Sequence, residues 1–452
     1  MLKRFNSSLT FLMKLLTFLL CGLCFFLLFG QAYFFLLRPS RTLAVTAVAF
    51  VVVYVLMCRV YGGYDIGKRK SKPIVFSLAL TLLFADLVTH LLLCIMNVTV
   101  IHRGHFVYDR PLLLLAVYVL QLVVVVVMTY AGNAVYFKVN KPQRCLMIAR
   151  RGENVEELIR RVGRYKKQYA IDQVAWLDQP DLLGCIDRVD AVFLYELSVQ
   201  ERTALVEHCF RTKKDVYYSL EMADVVAMSG ERVMFDDTTL MHCPSRELNF
   251  EERIIKRLGD ILISLAGLLL TSPILLATAI AIRAEDHGPV FYKQKRATYA
   301  GREFEVYKFR SMHPQAGSIH KSVTGDDDRI TRVGHFIRKF RIDELPQLIN
   351  VLKSDMSIVG PRPEMLENVE KYTADLPEFR YRLRAKAGLT GLAQIYGKYN
   401  TSPRDKLIMD LTYIQQYSVW LDLKLIFRTV LVLLTPDEST EAFQNDKTED
   451  KP

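Results

Sequence analysis

Four apolar runs dominate the first third of the chain, at about Leu15–Leu37, Thr42–Val60, Ile74–Met96 and Pro111–Thr129. Each approaches the roughly 20 residues a helix needs to cross a bilayer, so the pattern predicts four membrane spans. The first run is too long for a cleavable signal peptide, and no small-residue cleavage site precedes Arg38. Beyond residue 140 the periodicity shortens. Strand-like runs at Cys145–Ala149, Asp172–Leu177, Ala191–Tyr195 and Val216–Leu220 alternate with helical stretches at Glu153–Arg164 and Gln200–Arg211. That order predicts a small α/β domain on a parallel sheet. A further oily run, Ile261–Ile282, is interrupted by Ser272-Pro273. After it, alternating residues on either side of Gly301 predict two short strands, and the acidic, Thr- and Lys-rich text after Pro436 predicts a short disordered tail.

Charge gives the oily part an orientation. Residues 1–137 hold twelve basic and three acidic side chains, +9 of the chain's total +11. A basic excess confined to an apolar third argues against a nucleic-acid groove, which would sit on a polar folded domain. Lys3, Arg4 and Lys14 precede the first span, Lys68, Arg69, Lys70 and Lys72 separate the second from the third, and Lys138, Lys141, Arg144, Arg150 and Arg151 follow the fourth. The positive-inside rule then places both ends of the bundle in the cytoplasm. The eight cysteines include one CxxC spacing, Cys21 and Cys24, but it lies in an apolar run with no second pair; the polar part reads as reduced and intracellular. Asp86 and His90 fall four residues apart inside the third span. They are either a proton or ligand site or a mutually satisfied pair facing the bundle interior.

The organisation follows: a transmembrane four-helix bundle at 1–137, a cytoplasmic α/β domain at 138–247, a catalytic unit at 248–435 and a tail at 436–452. In the second, the first strand leads into Ala149-Arg150-Arg151-Gly152-Glu153-Asn154. A dinucleotide site needs G-x-G-x-x-G there, so the domain reads as a degenerate Rossmann-like fold without a cofactor. In the third, the segment 261–282 either spans the membrane or enters it and returns at Ser272-Pro273. Proline removes a helical hydrogen bond, a serine can help satisfy the freed groups, and return keeps both basic flanks in the cytoplasm.

The chemistry-bearing text lies after residue 288. Asp343-Glu344-Leu345-Pro346 alone reads as a helix start, with Asp as N-cap, Glu in the first turn and Pro tolerated there. Its surroundings change that picture. Arg338, Arg341 and Arg362 are near in sequence, and guanidinium forks suit phosphate oxygens. A carboxylate among such groups is a metal ligand or a nucleophile. The run Asp326-Asp327-Asp328 is a second place for a metal, or a solvated loop.

Residues 252–434, about 40% of the chain, resemble the bacterial sugar transferase family, the monotopic polyprenyl-phosphate glycosyl-1-phosphate transferases. The resemblance is carried by Lys256-Arg257 with Asp260, Ser272-Pro273, Gly288-Pro289-Val290-Phe291 and Lys308-Phe309-Arg310-Ser311-Met312. It continues through Asp343-Glu344-Leu345-Pro346-Gln347, Gly360-Pro361-Arg362-Pro363, Gly388-Leu389-Thr390-Gly391-Leu392-Ala393-Gln394, Tyr413, Ser418 and Asp422. Four spans followed by a middle domain resemble the large, exopolysaccharide-type members. The resemblance implies an α+β catalytic domain with a re-entrant membrane helix, and transfer of a sugar-1-phosphate from a UDP-sugar to undecaprenyl phosphate with release of UMP. It implies Asp343 as the nucleophile that becomes a covalent phosphosugar adduct, Glu344 with Asp343 at Mg²⁺ (or Mn²⁺), and Arg338 and Arg362 beside the phosphates. It also implies Lys308, Arg310, Gln347, Thr390 and Gln394 on the substrate side. Partners would be the UDP-sugar, undecaprenyl phosphate and membrane lipid, with no nucleic acid and room for a homodimer. The place would be the bacterial inner membrane, with the catalytic domain cytoplasmic. Two positions depart from the family's habit: Thr298 stands where glycine is common, and Ala387 where many relatives have proline. An inactive membrane scaffold or sensor should have lost the Asp-Glu pair, and a membrane nucleotide-sugar dehydratase should show the cofactor loop; this chain does neither.

Overall fold

The computed structural model describes residues 2–101, 105–244, 247–313, 329–397 and 401–434; Asp326-Asp327-Asp328 and the expected tail lie outside these residues. The chain divides into two compact units, Met1–Ser219 and Leu220–Pro452.

The first unit opens with four long helices: α1 (Leu2–Ala32), α2 (Arg41–Tyr61), α3 (Ser71–Val100) and α4 (Pro111–Val139). Local chemistry sets their ends. Ser40 caps α2, its side chain accepting from the Leu43 N–H; Gly62 ends α2 in a left-handed conformation; Pro111 opens α4 where no N–H is needed. All four are long and apolar enough to cross a membrane. Phe25, Phe29, Phe50 and Tyr54 fill the interior, while Leu12, Leu19, Leu23, Val48 and Val52 stay exposed. Asp86 and His90 do face the interior, yet not as a mutual pair. The Gln121 amide donates to Asp86 Oδ1 at 3.2 Å, and His90 Nε2 lies 3.5 Å from Cys94 Sγ. Gln121 comes from α4, so the carboxylate joins two helices rather than two turns of one.

The same unit continues with β1 (Gln143–Ala149), α5 (Val155–Gly163), β2 (Tyr169–Trp176), α6 (Leu182–Asp187), β3 (Ala191–Leu194), α7 (Val199–Arg211) and β4 (Asp215–Tyr218). The strands form one parallel sheet in the order β2-β1-β3-β4. Leu146, Ile148, Val192 and Leu194 pack on helix residues Leu182, Ile186, Leu205 and Cys209, whereas Met147 and Ala149 pack on Val155. Covering both faces explains why β1 reads as an unbroken apolar run rather than an alternating one. Helix α6 is the element the periodicity did not predict. At six residues it is too short to show a helical repeat.

The second unit holds α8 (Met222–Ala227), the hairpin β5 (Glu231–Phe235) with β6 (Thr238–His242), and the 37-residue α9 (Phe250–Asp286). Next come the hairpin β7 (Phe291–Ala297) with β8 (Glu303–Phe309), then α10 (Arg332–Lys339), α11 (Gln347–Leu352) and β9 (Ser357–Val359). The unit closes with α12 (Leu366–Asp375), β10 (Gly388–Thr390), α13 (Leu392–Tyr396), α14 (Pro403–Gln415) and α15 (Val419–Leu434). β7 and β8 pair antiparallel, β9 and β10 parallel. Its core joins Phe304, Val306, Leu348, Val351, Ile358, Phe379, Leu407 and Leu411. α9 is the fifth helix apolar enough to cross a membrane, and it contains Pro273. Leu262, Leu269, Leu270, Leu276 and Ile280 along it are exposed.

Candidate active site

Asp343 and Glu344 do not start a helix. They occupy a single 3-10 turn, Ile342–Glu344; Pro346 is the N-cap of α11, and no side-chain cap bond is made. The cause lies one residue upstream. Arg341 takes a left-handed conformation, φ 53°, which turns the chain between α10 and the 3-10 turn that carries both carboxylates. With six residues, α11 offers little dipole of its own. The helix-start reading of the tetrapeptide is therefore corrected: positioning falls to the flanking elements.

Three of them do it. Phe304, Val306 and Lys308 share one face of β8 by the two-residue strand period. The first two are buried in the core, and Lys308, at the end of that face, reaches Glu344 Oε1 at 2.7 Å. α10 is capped by Thr331, whose hydroxyl accepts from Gly334 N at 2.9 Å, and its last turn carries Arg338. The Arg338 Nε donates to Ser311 Oγ at 2.8 Å. α11 is clipped to β8 by Asn350: its amide donates to Glu305 O at 2.7 Å and its carbonyl accepts from Tyr307 N at 2.9 Å. Neither Ser311 nor Asn350 stood out as a site residue in the sequence; an asparagine inside an otherwise apolar helix turn was the available signal.

The N-terminal turns of α9 brace this arrangement from behind. Arg257 donates to Val351 O and Leu352 O at 2.7 and 2.8 Å, satisfying the last carbonyls of α11. Asp260 is buried and accepts from Ile358 N at 2.9 Å and Ser357 Oγ at 3.0 Å. Lys256 donates to Val359 O, Tyr413 OH and Asp422 Oδ2 at 3.0, 3.0 and 2.7 Å, and Tyr413 OH donates to Asp422 Oδ1 at 2.8 Å. Lys256, Arg257, Asp260, Tyr413 and Asp422 thus hold β9 and α11 in place without being needed at the carboxylates.

The electrostatics split the pair. Burial and the neighbouring Glu344 push Asp343 up to about 6, against the pull of Lys308 and Arg338. Burial acts upward on Glu344 as well, but Lys308, Arg362 and Arg341 outweigh it and hold that group down at about 2. At neutral pH both carboxylates are ionised, and Asp343 is the more basic. That is the profile of a nucleophile or base beside a permanently charged ligand.

Other candidates fall elsewhere. Arg310 is buried and pairs with Asp286 at the end of α9. Gln347 is buried at the first position of α11. Thr390 pairs its hydroxyl with Thr429 at 2.6 Å, and Gln394 donates to Gly388 O at 3.2 Å. Ser272 Oγ donates to Leu269 O at 2.8 Å, one turn back along α9, beside Pro273. So Lys308 contacts the dyad and the charges of Arg338 and Arg362 act on it, while Arg310, Thr390 and Gln394 are engaged with other parts of the unit. Among the described residues no three metal-ligating side chains cluster. The dyad supplies hard oxygen donors, the set Mg²⁺ takes when substrate phosphates complete its shell.

A family model described as bacterial sugar transferase matches residues 251–436. The chain is 42% identical over 190 residues to the UDP-glucose:undecaprenyl-phosphate glucose-1-phosphate transferase of Caulobacter vibrioides, covering 41% of this chain and 71% of that one. The chain belongs to the bacterial sugar transferase family. Among other family relatives, the UDP-N-acetylgalactosamine-undecaprenyl-phosphate N-acetylgalactosaminephosphotransferase of Aeromonas hydrophila is 43% identical over 185 residues, 40% of this chain and 44% of that one. The undecaprenyl-phosphate glucose phosphotransferase of Komagataeibacter xylinus is 33% identical over 306 residues, 63% of this chain and 56% of that one. The chain thus spans less than half of the Aeromonas family member. Thr298 and Ala387 meet in space. The buried Thr298 hydroxyl donates to Asp355 O at 2.9 Å and accepts from Ala387 N at 3.1 Å. A proline at 387 would have no N–H to give.

Proposed function

We propose that the chain transfers a sugar-1-phosphate from a UDP-sugar to undecaprenyl phosphate, releasing UMP, through a covalent phosphosugar on Asp343. The observation that carries this reading is the split dyad: Asp343 pushed up to about 6 and Glu344 held down at about 2, ringed by Lys308, Arg338 and Arg362. In the first step an Asp343 oxygen attacks the sugar-bearing phosphorus. The phosphoanhydride bond breaks, and its electron pair leaves with UMP. In the second, an oxygen of undecaprenyl phosphate attacks the same phosphorus and the Asp343–phosphorus bond breaks. The product is an undecaprenyl diphosphosugar, and the carboxylate is restored. A basic yet ionised Asp343 favours the attack, while the surrounding cations offset repulsion between carboxylate and phosphate. Glu344, with Asp343, would hold Mg²⁺, which neutralises phosphate charge when bound.

We place the catalytic unit on the cytoplasmic face of a bacterial plasma membrane, read α1 to α4 as four membrane spans, and read the parallel sheet of the first unit as a degenerate Rossmann-like domain. We read α9 as re-entrant. A straight helix of this length would be roughly 55 Å long, enough to put its ends on opposite sides of a bilayer. Yet both ends bond to the same unit, through Lys256 to Asp422 and through Asp286 to Arg310. In this reading Pro273, inside the helix, supplies the bend. The relatives' names specify glucose, N-acetylgalactosamine and galactosyl transfer, which supports a UDP-hexose or UDP-N-acetylhexosamine donor.

The test is UMP release by full-length protein in nanodiscs with undecaprenyl phosphate, Mg²⁺ and a panel of UDP-sugars. Turnover with one donor, lost on EDTA and absent from Asp343→Asn, is expected, together with a phosphosugar adduct mapping to Asp343. An adduct that persists in Asp343→Asn removes the nucleophile assignment. No release with any donor favours an inactive scaffold.

A further inference from the structure

The turn after β9 carries Arg362, whose charge helps hold Glu344 ionised, and it cannot hold itself. Pro361 and Pro363 have no N–H to place in a ladder. Instead, four successive carbonyls each accept a bond from elsewhere in the unit. Pro361 O takes Gly388 N at 2.8 Å, Arg362 O takes Arg382 Nη2 at 2.6 Å, Pro363 O takes Arg296 Nη1 at 3.3 Å, and Glu364 O takes Ala297 N at 3.3 Å.

The shortest of these comes from a buried charge. Arg382 is 2% exposed and Asp410 on α14 is 1% exposed, and they pair at 2.7 Å. Glu364 lies 3.8 Å from Arg382 and 3.7 Å from Lys406. The guanidinium also sits 4.8 Å over the Phe379 ring. Burying such a network costs desolvation that well-packed apolar residues would avoid, so net stability is a weak reason for it. A reason is visible in its geometry: the network ends on the carbonyl of Arg362.

We propose that Arg382 is a positioning residue for the transfer site: its grip on the Arg362 carbonyl fixes where the Arg362 guanidinium stands relative to Glu344, with Asp410 as the counter-ion that orients Arg382. The proposal rests on the transferase reading above. It makes α14, which carries neither member of the dyad, part of what sets the phosphate-side charge.

The test is a double-mutant cycle in kcat/KM on full-length protein in nanodiscs, with Arg382→Met, Arg362→Met and the double variant. Each single change is expected to lower kcat/KM about tenfold or more, with the double variant within about threefold of Arg362→Met alone. Multiplying losses would overturn the proposal, since Arg382 would then act independently of Arg362. If Arg382→Met does not fold, Arg382→Lys keeps the buried charge, loses the fork and runs the same cycle with the same two readings. Hydrogen exchange of the 357–366 peptide gives a readout without turnover. Faster exchange in the folded Arg382 variant supports the proposal, and unchanged exchange overturns it. Should the wild type turn over no donor, the transferase reading fails, and exchange alone decides whether Arg382 holds the turn.

Discussion

Replacing Lys308 by methionine should move the acid limb of the pH–rate profile upward. Lys308 Nζ lies 2.7 Å from Glu344 Oε1, with both side chains about a quarter exposed. Charge centres about 4 Å apart interact by about 1 kcal/mol in bulk water and about 4 kcal/mol near a protein surface. Partial exposure argues for the low end. One pKa unit corresponds to about 1.4 kcal/mol; Lys308 also acts on Asp343, so the same scale taken for that group gives a rise of about one unit. The sign is fixed: removing a cation disfavours the ionised carboxylate. Asp343, pushed up to about 6 in the wild type, must be ionised to attack. Activity is therefore lost as pH falls through about 6 in the wild type, and through about 7 in the variant. At pH 6 the protonation effect alone is about fivefold, and at pH 7 about twofold. The assay is kcat/KM from pH 5 to 9 with whichever UDP-sugar turns over. Weaker substrate binding would lower the whole curve without moving its limb. An acid limb that stays at the wild-type position refutes the electrostatic account of the dyad.

Further outcomes follow from contacts behind the site. Asp260→Ala strands the Ile358 N–H and the Ser357 hydroxyl in the interior, and should cost about 2–4 kcal/mol, read as a lowered unfolding midpoint; an unchanged midpoint counts against the brace. Gly334→Ala would drive a methyl to 2.1 Å from the Ser311 carbonyl, on the residue that anchors Arg338. It should reduce kcat well beyond its effect on thermal stability, and equal effects on both would count against it. Ala387→Pro removes the N–H that Thr298 accepts and should destabilise, with Thr298→Gly in the same chain recovering part of the loss; strictly additive midpoints would deny the coupling.

The four long apolar helices, the parallel sheet and the β7–β8 hairpin were legible because each follows from periodicity: long apolar runs, short β-branched runs and alternation on either side of a turn. The carboxylate pair was legible as a motif and by resemblance, but its local form was not. Asp343-Glu344-Leu345-Pro346 satisfies every rule for a capped helix start. The rule fails because Arg341 adopts a left-handed backbone, which single residues reach only when surrounding packing compels it. Arg310 shows the opposite limit. Its place in a motif with Lys308 suggested a shared role, but residues two apart share a strand face only until the strand ends. Arg310 lies one residue past β8, where Asp286 takes it. Buried networks such as Arg382 with Asp410 left no local trace at all, since their partners lie far apart along the chain.

The double anchoring of α9 has a mechanical consequence. A helix joined to its catalytic unit at one end would act as a leash, and a thicker or thinner bilayer would change only the slack. Here Lys256 is bound near one end and Asp286 at the other, so the helix and the dyad's supporting frame move as one body. On the proposed re-entrant reading α9 sits in lipid, and its depth then sets the altitude of Asp343 relative to the headgroup phosphates. Acyl-chain length then becomes a control variable for the lipid-dependent half-reaction while the nucleotide-dependent half is spared. The helix is a keel, and the catalytic site rides at the waterline it defines.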